Sequence, residues 1–149
     1  MISSSRLTPR LMIAIGALGI ATAAAGSAQA AAACPAGDFT SFFRAFANST
    51  EVQRQFSATS VDFSAYEASD DTPDPVMVTR NRPREAIQYP VIPNTAQQRT
   101  EGLRTRFLAQ SNGDQIVDLT KPDTDYQLRF VFSRVGACWE LEAKIDQSL

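Results

Sequence analysis

The chain has 149 residues, with 14 basic and 16 acidic side chains, two cysteines and no histidine. That length holds one ordinary domain, and a net charge of −2 argues against a dedicated nucleic-acid binder, which needs a basic face. Without histidine, the commonest general base and metal ligand is missing, so no metal site and no cofactor is expected.

Residues 1–30 read as a secretory signal peptide. Arg6 and Arg10 make a basic start, Leu11 to Ile20 an apolar run, and Ala28-Gln29-Ala30 an A-x-A cleavage pattern. The apolar run is too short, and too rich in Ala and Gly, for a membrane span of about 20 apolar residues. The expected organisation is therefore a signal peptide over 1–30 and a single exported domain over 31–149, in the periplasm or outside the cell, with no transmembrane span in the mature chain. That domain keeps 12 basic and 16 acidic residues, a formal charge of −4. Ten of the 12 are arginine, which base composition explains as well as a preference for forked carboxylate or phosphate contacts does.

Cys34 and Cys138 both lie in the domain, and an even count in an exported chain points to a disulfide. Two alternatives compete with it. Ala31-Ala32-Ala33-Cys34 faintly resembles a lipid-attachment site, but Ala31 stands where leucine is usual. A reactive thiol would lack a histidine partner.

Asp38 caps a helix whose Phe39, Phe42, Phe43 and Phe46 fall at i, i+3, i+4, i+7 and stack four rings on one face. Asn48-Ser49 breaks it, and Thr50-Glu51-Val52-Gln53 reads as a capping box opening a second, short helix that buries Val52 and Phe56. Alternation of Val61, Phe63 and Ala65 with Asp62, Ser64 and Tyr66 predicts a half-buried strand over 59–66. An acidic, Pro-containing loop follows over 67–75. Its Asp70, Asp71 and Asp74 lack the spacing of a calcium loop. Val76 to Val78 is a short strand, Pro83 to Gln88 a brief helix, and Pro90 and Pro93 force extended chain. Arg80, Arg82 and Arg84 cluster just after the acidic loop as candidates to contact an anion.

From Glu101 the pattern is strand. Leu103, Thr105, Phe107 and Ala109 share one face and Arg104, Arg106 and Leu108 the other. A three-residue turn at Asn112-Gly113-Asp114 pairs Phe107 with Leu119 and Ala109 with Val117. Residues 121–125 form the next turn. In the last hairpin Tyr126, Leu128, Phe130 and Phe132 face Trp139, Leu141, Ala143 and Ile145, with Phe132 opposite Trp139, Phe130 opposite Leu141 and Arg129 opposite Glu142. Cys138 then falls on the polar face. Either Cys34 reaches around the sheet edge or a bulge turns Cys138 inward.

Helices followed by an antiparallel sheet with one apolar face make an α+β layer. The motifs Asp38-Phe39-x-x-Phe42-Phe43-x-x-Phe46, Tyr126-x-Leu128-x-Phe130-x-Phe132 and Cys138-Trp139-Glu140-Leu141 appear in that order. This order resembles the nuclear-transport-factor-two-like, cone-shaped α+β superfamily, and in particular its small exported bacterial members. The resemblance implies N-terminal helices packed on a curved antiparallel sheet, with a cavity between them. Some members of that superfamily bind partners or small molecules, and others are isomerases, cyclases or dehydratases.

No catalytic motif of the superfamily aligns, and fold alone does not license a reaction. The expected function is a non-enzymatic binding or accessory module, taking a protein partner or a small apolar ligand. A homodimer through the sheet is a further expectation, since Arg104, Arg106, Leu108, Arg129 and Val131 lie on the non-core face. The alternative is a small cavity enzyme of isomerase or lyase type, with Asp62, Tyr66 or Tyr126 as acid or base.

Overall fold

A computed structural model describes residues 33–149; the expected signal peptide lies outside them. Helix α1 (Phe39–Asn48) starts where Asp38, in extended conformation, accepts from the Ser41 N–H at 2.9 Å. All four phenylalanines of its stripe are buried. Ser49 is extended and ends α1. Its hydroxyl also accepts from the Val52 N–H, so Ser49, one residue before the expected Thr50, caps α2 (Thr50–Gln55). Strands β1 (Ser57–Glu67) and β2 (Val76–Pro83) follow, then a single 3-10 turn (Arg84–Ala86). β2 runs five residues past Val78, which carries Arg80 and Arg82 into the sheet. Helix α3 (Thr95–Thr100) was not anticipated. Asn94 and Gln97 form its reciprocal capping box, and this local signal outweighs the extended bias of Pro90 and Pro93.

Strands β3 (Arg104–Ala109), β4 (Gln115–Thr120), β5 (Gln127–Val135) and β6 (Cys138–Asp146) complete one sheet in the order β2-β1-β6-β5-β4-β3. The chain's first strand thus returns to lie beside its last. β1 and β6 run parallel, the one departure from an antiparallel sheet.

Two registers differ from expectation. In β3–β4, Phe107 pairs with Val117 and Ala109 with Gln115, a shift of two residues that leaves every side chain on its expected face. The shift arises because the loop spans Gln110–Asp114. It is closed by Gln110 N–H to Asp114 O, and Gly113 adopts φ +91. That positive φ favours glycine there; a Cβ would also stand 2.8 Å from Arg134 Cδ, a side chain that would have to shift.

In β5–β6 the change is larger. Phe132 pairs with Leu141 and Val131 with Ala143, so Glu142 is an extra residue, a β-bulge. Beyond it the alternation inverts. Lys144 lies opposite Phe130 and Asp146 opposite Leu128, while Ala143 and Ile145 turn to the other face. Before the bulge the pairing already stands two residues from the expected one, with Phe132 opposite Leu141 and Trp139 opposite Arg134; that slip and the bulge together set Arg129 opposite Ile145 rather than Glu142.

The bulge does not reorient Cys138, which sits opposite Val135 at the start of β6. β1 joins β6 only from Leu141, so β6 has no neighbour on that side at Cys138. Cys34 reaches it there, and the two are disulfide-bonded with Cα atoms 5.4 Å apart. The bridge ties the chain just before α1 to the closing hairpin.

The inner face of the sheet, bearing Val117, Leu119, Phe130, Phe132 and Leu141, packs against the α1 rings. Phe42 lies edge-on to Phe132 and Phe56, and Phe39 edge-on to Trp139 and Phe107. Ile87, Val91 and Ile92 add to the core. Their segment is pinned by Gln53, whose buried side-chain oxygen accepts from the Val91 N–H at 2.8 Å.

Phe42 is fully buried and touches five other aromatic rings, counting Phe39, Phe46 and Trp139. Phe42→Ala is expected to cost about 3–5 kcal/mol in urea denaturation. A loss under about 1 kcal/mol would contradict this packing.

Candidate functional site

Helical cover of the inner face is uneven. The α1 rings lie over Phe132, Phe107 and Trp139. At the β2-β1-β6 end the same face opens into a depression of about 260 Å³. Phe63 and Ala65 of β1 alternate inward with the buried Val61 and line its floor. Cross-strand pairing places Arg80 opposite Phe63 and Arg82 opposite Val61 on β2. Parallel pairing places Lys144 beside Phe63 and Asp146 beside Ala65. Glu67 completes the rim.

The charges here are unequally engaged. Glu67 grips Arg80 with both oxygens, one of them at 2.8 Å from Nη2, and this ion pair holds the Glu67 carboxyl below the usual range. Both side chains are exposed, so the pair adds little stability. The Arg82 guanidinium lies 5.5 Å from the centre of the Phe63 ring, a cation–π arrangement, and among the described residues it makes no ion pair. Lys144 is half-buried, and among the described residues it too has no carboxylate within ion-pair distance. Burial pushes its ammonium below the ordinary lysine range, and the charge of Asp146 pulls the other way. Asp146 itself accepts from the Ser148 N–H at 3.0 Å.

The candidates named from sequence are dispersed by the fold. Arg80 and Arg82 share the depression, but Arg84, in the 3-10 turn, lines a separate shallow surface with Arg54 and Glu85. Asp62 and Tyr66 alternate to the outer face. Asp62 accepts from the Asn81 side chain at 2.8 Å, and Tyr66 lies opposite Met77, 40 % exposed. Tyr126 is packed against the core, and burial, followed by the charges of Glu101 and Asp146, raises its pKa, so the phenol stays protonated at neutral pH. Asp62, Tyr66 and Tyr126 therefore do not converge on one cavity. Sequence reading missed Lys144, because regular alternation through β6 assigns it to the polar face. Among the described residues no group of His, Cys, Asp and Glu is placed to hold a metal ion, and no helix is long and apolar enough to cross a membrane.

Among solved structures, the chain is similar to an NTF2-like protein of Bacteroides fragilis, with a TM-score of 0.53 and 20% identity. The chain has the NTF2-like fold. At that identity the likeness concerns fold alone. It covers 75% of this chain and 47% of the other, so this chain spans under half the length of the protein it resembles. No protein-family model and no curated protein matches the sequence.

On the outer face of this NTF2-like sheet a second polar cluster has a different character. Asp118 of β4 is 2 % exposed, between Arg106 of β3 and Arg129 of β5, its cross-strand partners. Arg129 donates to it at 2.8 and 3.2 Å and Arg106 at 2.9 Å. The hydrogen bonds from Arg129, then those from Arg106, hold its carboxyl below the usual range against the opposing effect of burial. Both Asp118 oxygens are taken up by the two arginines, so this cluster staples three strands.

Asp118→Ala is expected to cost about 2–4 kcal/mol at pH 7, because it strands a half-buried guanidinium. The folded-state pKa is depressed, so the wild-type advantage is complete above the unfolded value of about 3.9 and disappears as pH falls through the folded value. Urea denaturation at pH 7 and pH 3 reads this. A difference between the proteins that stays unchanged at pH 3 would contradict the ion-pair account.

Proposed function

We propose that this chain is an exported, non-enzymatic binding or accessory module, and that the open end of its inner sheet face takes a small molecule with an apolar body and an anionic group. One observation carries the reading. The inner face is apolar where α1 covers it and charged where it is open, with three cations against Glu67 and Asp146, and with Arg82 and Lys144 beside the Phe63 ring without an ion pair among the described residues. Free cations above an aromatic floor suit a small carboxylate or phosphate ester with an apolar tail. The disulfide agrees with an oxidising compartment, and with a signal peptide over 1–30 removed on export.

A protein partner is the accessory part of the proposal, and a second copy of the chain is the first one to test. Leu108, Ile116, Val131 and Ala143 form one unbroken row across four strands of the outer face, with Ile145 beside it. Sedimentation is expected to give a dimer that Ile116→Glu dissociates. A monomeric wild-type protein removes that element. The isomerase or lyase reading loses ground because its three candidate acids and bases do not share a cavity.

For the ligand site, 4-methylbenzoate is a suitable probe. Arg82→Gln is expected to weaken its binding about tenfold in calorimetry, the equivalent of a charge-assisted hydrogen bond, whereas Arg84→Gln leaves it unchanged. Equal effects of the two substitutions, or no binding at all, would contradict the proposed site.

A further inference from the structure

Only two lysines occur in the whole chain, against 12 arginines. Lys121 is exposed in a turn. Lys144 is on the inner face, in register with Phe130 on one side and Phe63 on the other. It is brought there by the Glu142 bulge, and bulges recur where a strand must re-aim a side chain. The charged groups facing it are Glu67 on β1, Arg80 and Arg82 on β2, and Asp146 on β6. Arg80 is spent on Glu67, and Asp146 is part-occupied by the backbone at Ser148. A structural salt bridge would place a carboxylate in contact with the ammonium, and among the described residues none is within ion-pair distance. A partly desolvated lysine without such a partner is the form in which an amine becomes a nucleophile.

We propose that Lys144 captures small carbonyl compounds bearing a carboxylate, such as aldehyde acids or keto acids, as a reversible imine. The proposal rests on the anion-site reading for its carboxylate contact and extends it by a covalent step. Arg82 would hold the carboxylate and Phe63 the apolar body, leaving the carbonyl to the amine. The neutral amine's lone pair bonds to the carbonyl carbon, and the C=O π pair moves to oxygen. One N–H proton passes to that oxygen to give the carbinolamine. Collapse then forms C=N and releases the oxygen as water with the second N–H proton. No oxidant or reductant enters, and hydrolysis reverses the step. The lowered basicity of the half-buried amine raises its neutral fraction near neutral pH, in the direction the chemistry needs.

The test is reductive trapping on the disulfide-bonded protein with 4-carboxybenzaldehyde and cyanoborohydride, mapped by peptide mass spectrometry. Lys121 and the terminal amine serve as internal references. Lys144 is expected to be modified at least about tenfold faster than Lys121, since holding a carbonyl beside an amine raises its effective concentration by more than that. Benzaldehyde, lacking the carboxylate, is expected to lose most of that preference, and excess 4-methylbenzoate to suppress it. Lys144→Met is expected to abolish the adduct and to melt no lower than wild type. Modification of Lys144 at or below the Lys121 rate overturns the proposal. If 4-methylbenzoate binds in that case, the anion site stands without its covalent step. Preferential trapping that ignores both the carboxylate and 4-methylbenzoate keeps the reactive amine and removes the anion site.

Discussion

One extra residue in the last strand governs the chemistry of the open end. Without the bulge at Glu142, β6 would carry Ala143 and Ile145 inward and continue the apolar face begun by Trp139 and Leu141. With it, the parity of the strand inverts, and Lys144 and Asp146 replace them. The displaced apolar pair joins Leu108, Ile116 and Val131 on the outer face. A side-chain period of two makes such an inversion all-or-none, so a single inserted residue rewrites both faces beyond it.

The rest of the architecture tolerates polar groups at that end because the other end is so heavily packed. Four α1 phenylalanines, Phe132 and Trp139 bury most of the large aromatic surface, and the Cys34–Cys138 bridge fixes the approach to α1 at the same end. In the loop-closure picture a bridge of this span removes on the order of 4–5 kcal/mol of unfolded-chain entropy. Asp118 and its two arginines hold β3, β4 and β5 together on the outer face. The β2-β1-β6 end is thus held by backbone pairing and Val61 rather than by cover from a helix, and its inner face is left available.

Much of the fold was legible in the residues. The i, i+3, i+4, i+7 phenylalanine stripe, the alternation in β1, β3 and β5, and the even cysteine count each carry a period or a pairing rule that tertiary contacts reinforce. Other features were not legible, for physical reasons. A bulge leaves no compositional mark, because Glu142 reads as the polar member of a regular alternation until its partner strand is known. Parallel pairing of β1 with β6 joins residues some eighty positions apart and follows from closure of the whole sheet. Helix α3 was readable in the Asn94–Gln97 capping box, but the neighbouring prolines masked it. The candidate site was half visible. Arg80 and Arg82 followed from clustering, and Arg84 was lost because the chain leaves the sheet at Pro83. Lys144 required the inverted parity.

The parity of β6 is therefore the point at which the account stands or falls. Cross-strand Hα and amide nuclear Overhauser effects in an isotope-labelled sample read it directly. The account predicts contacts of Lys144 with both Phe130 and Phe63, and of Val131 with Ala143. An uninterrupted register, with Phe130 paired to Ala143 and Lys144 turned to the outer face, would contradict it.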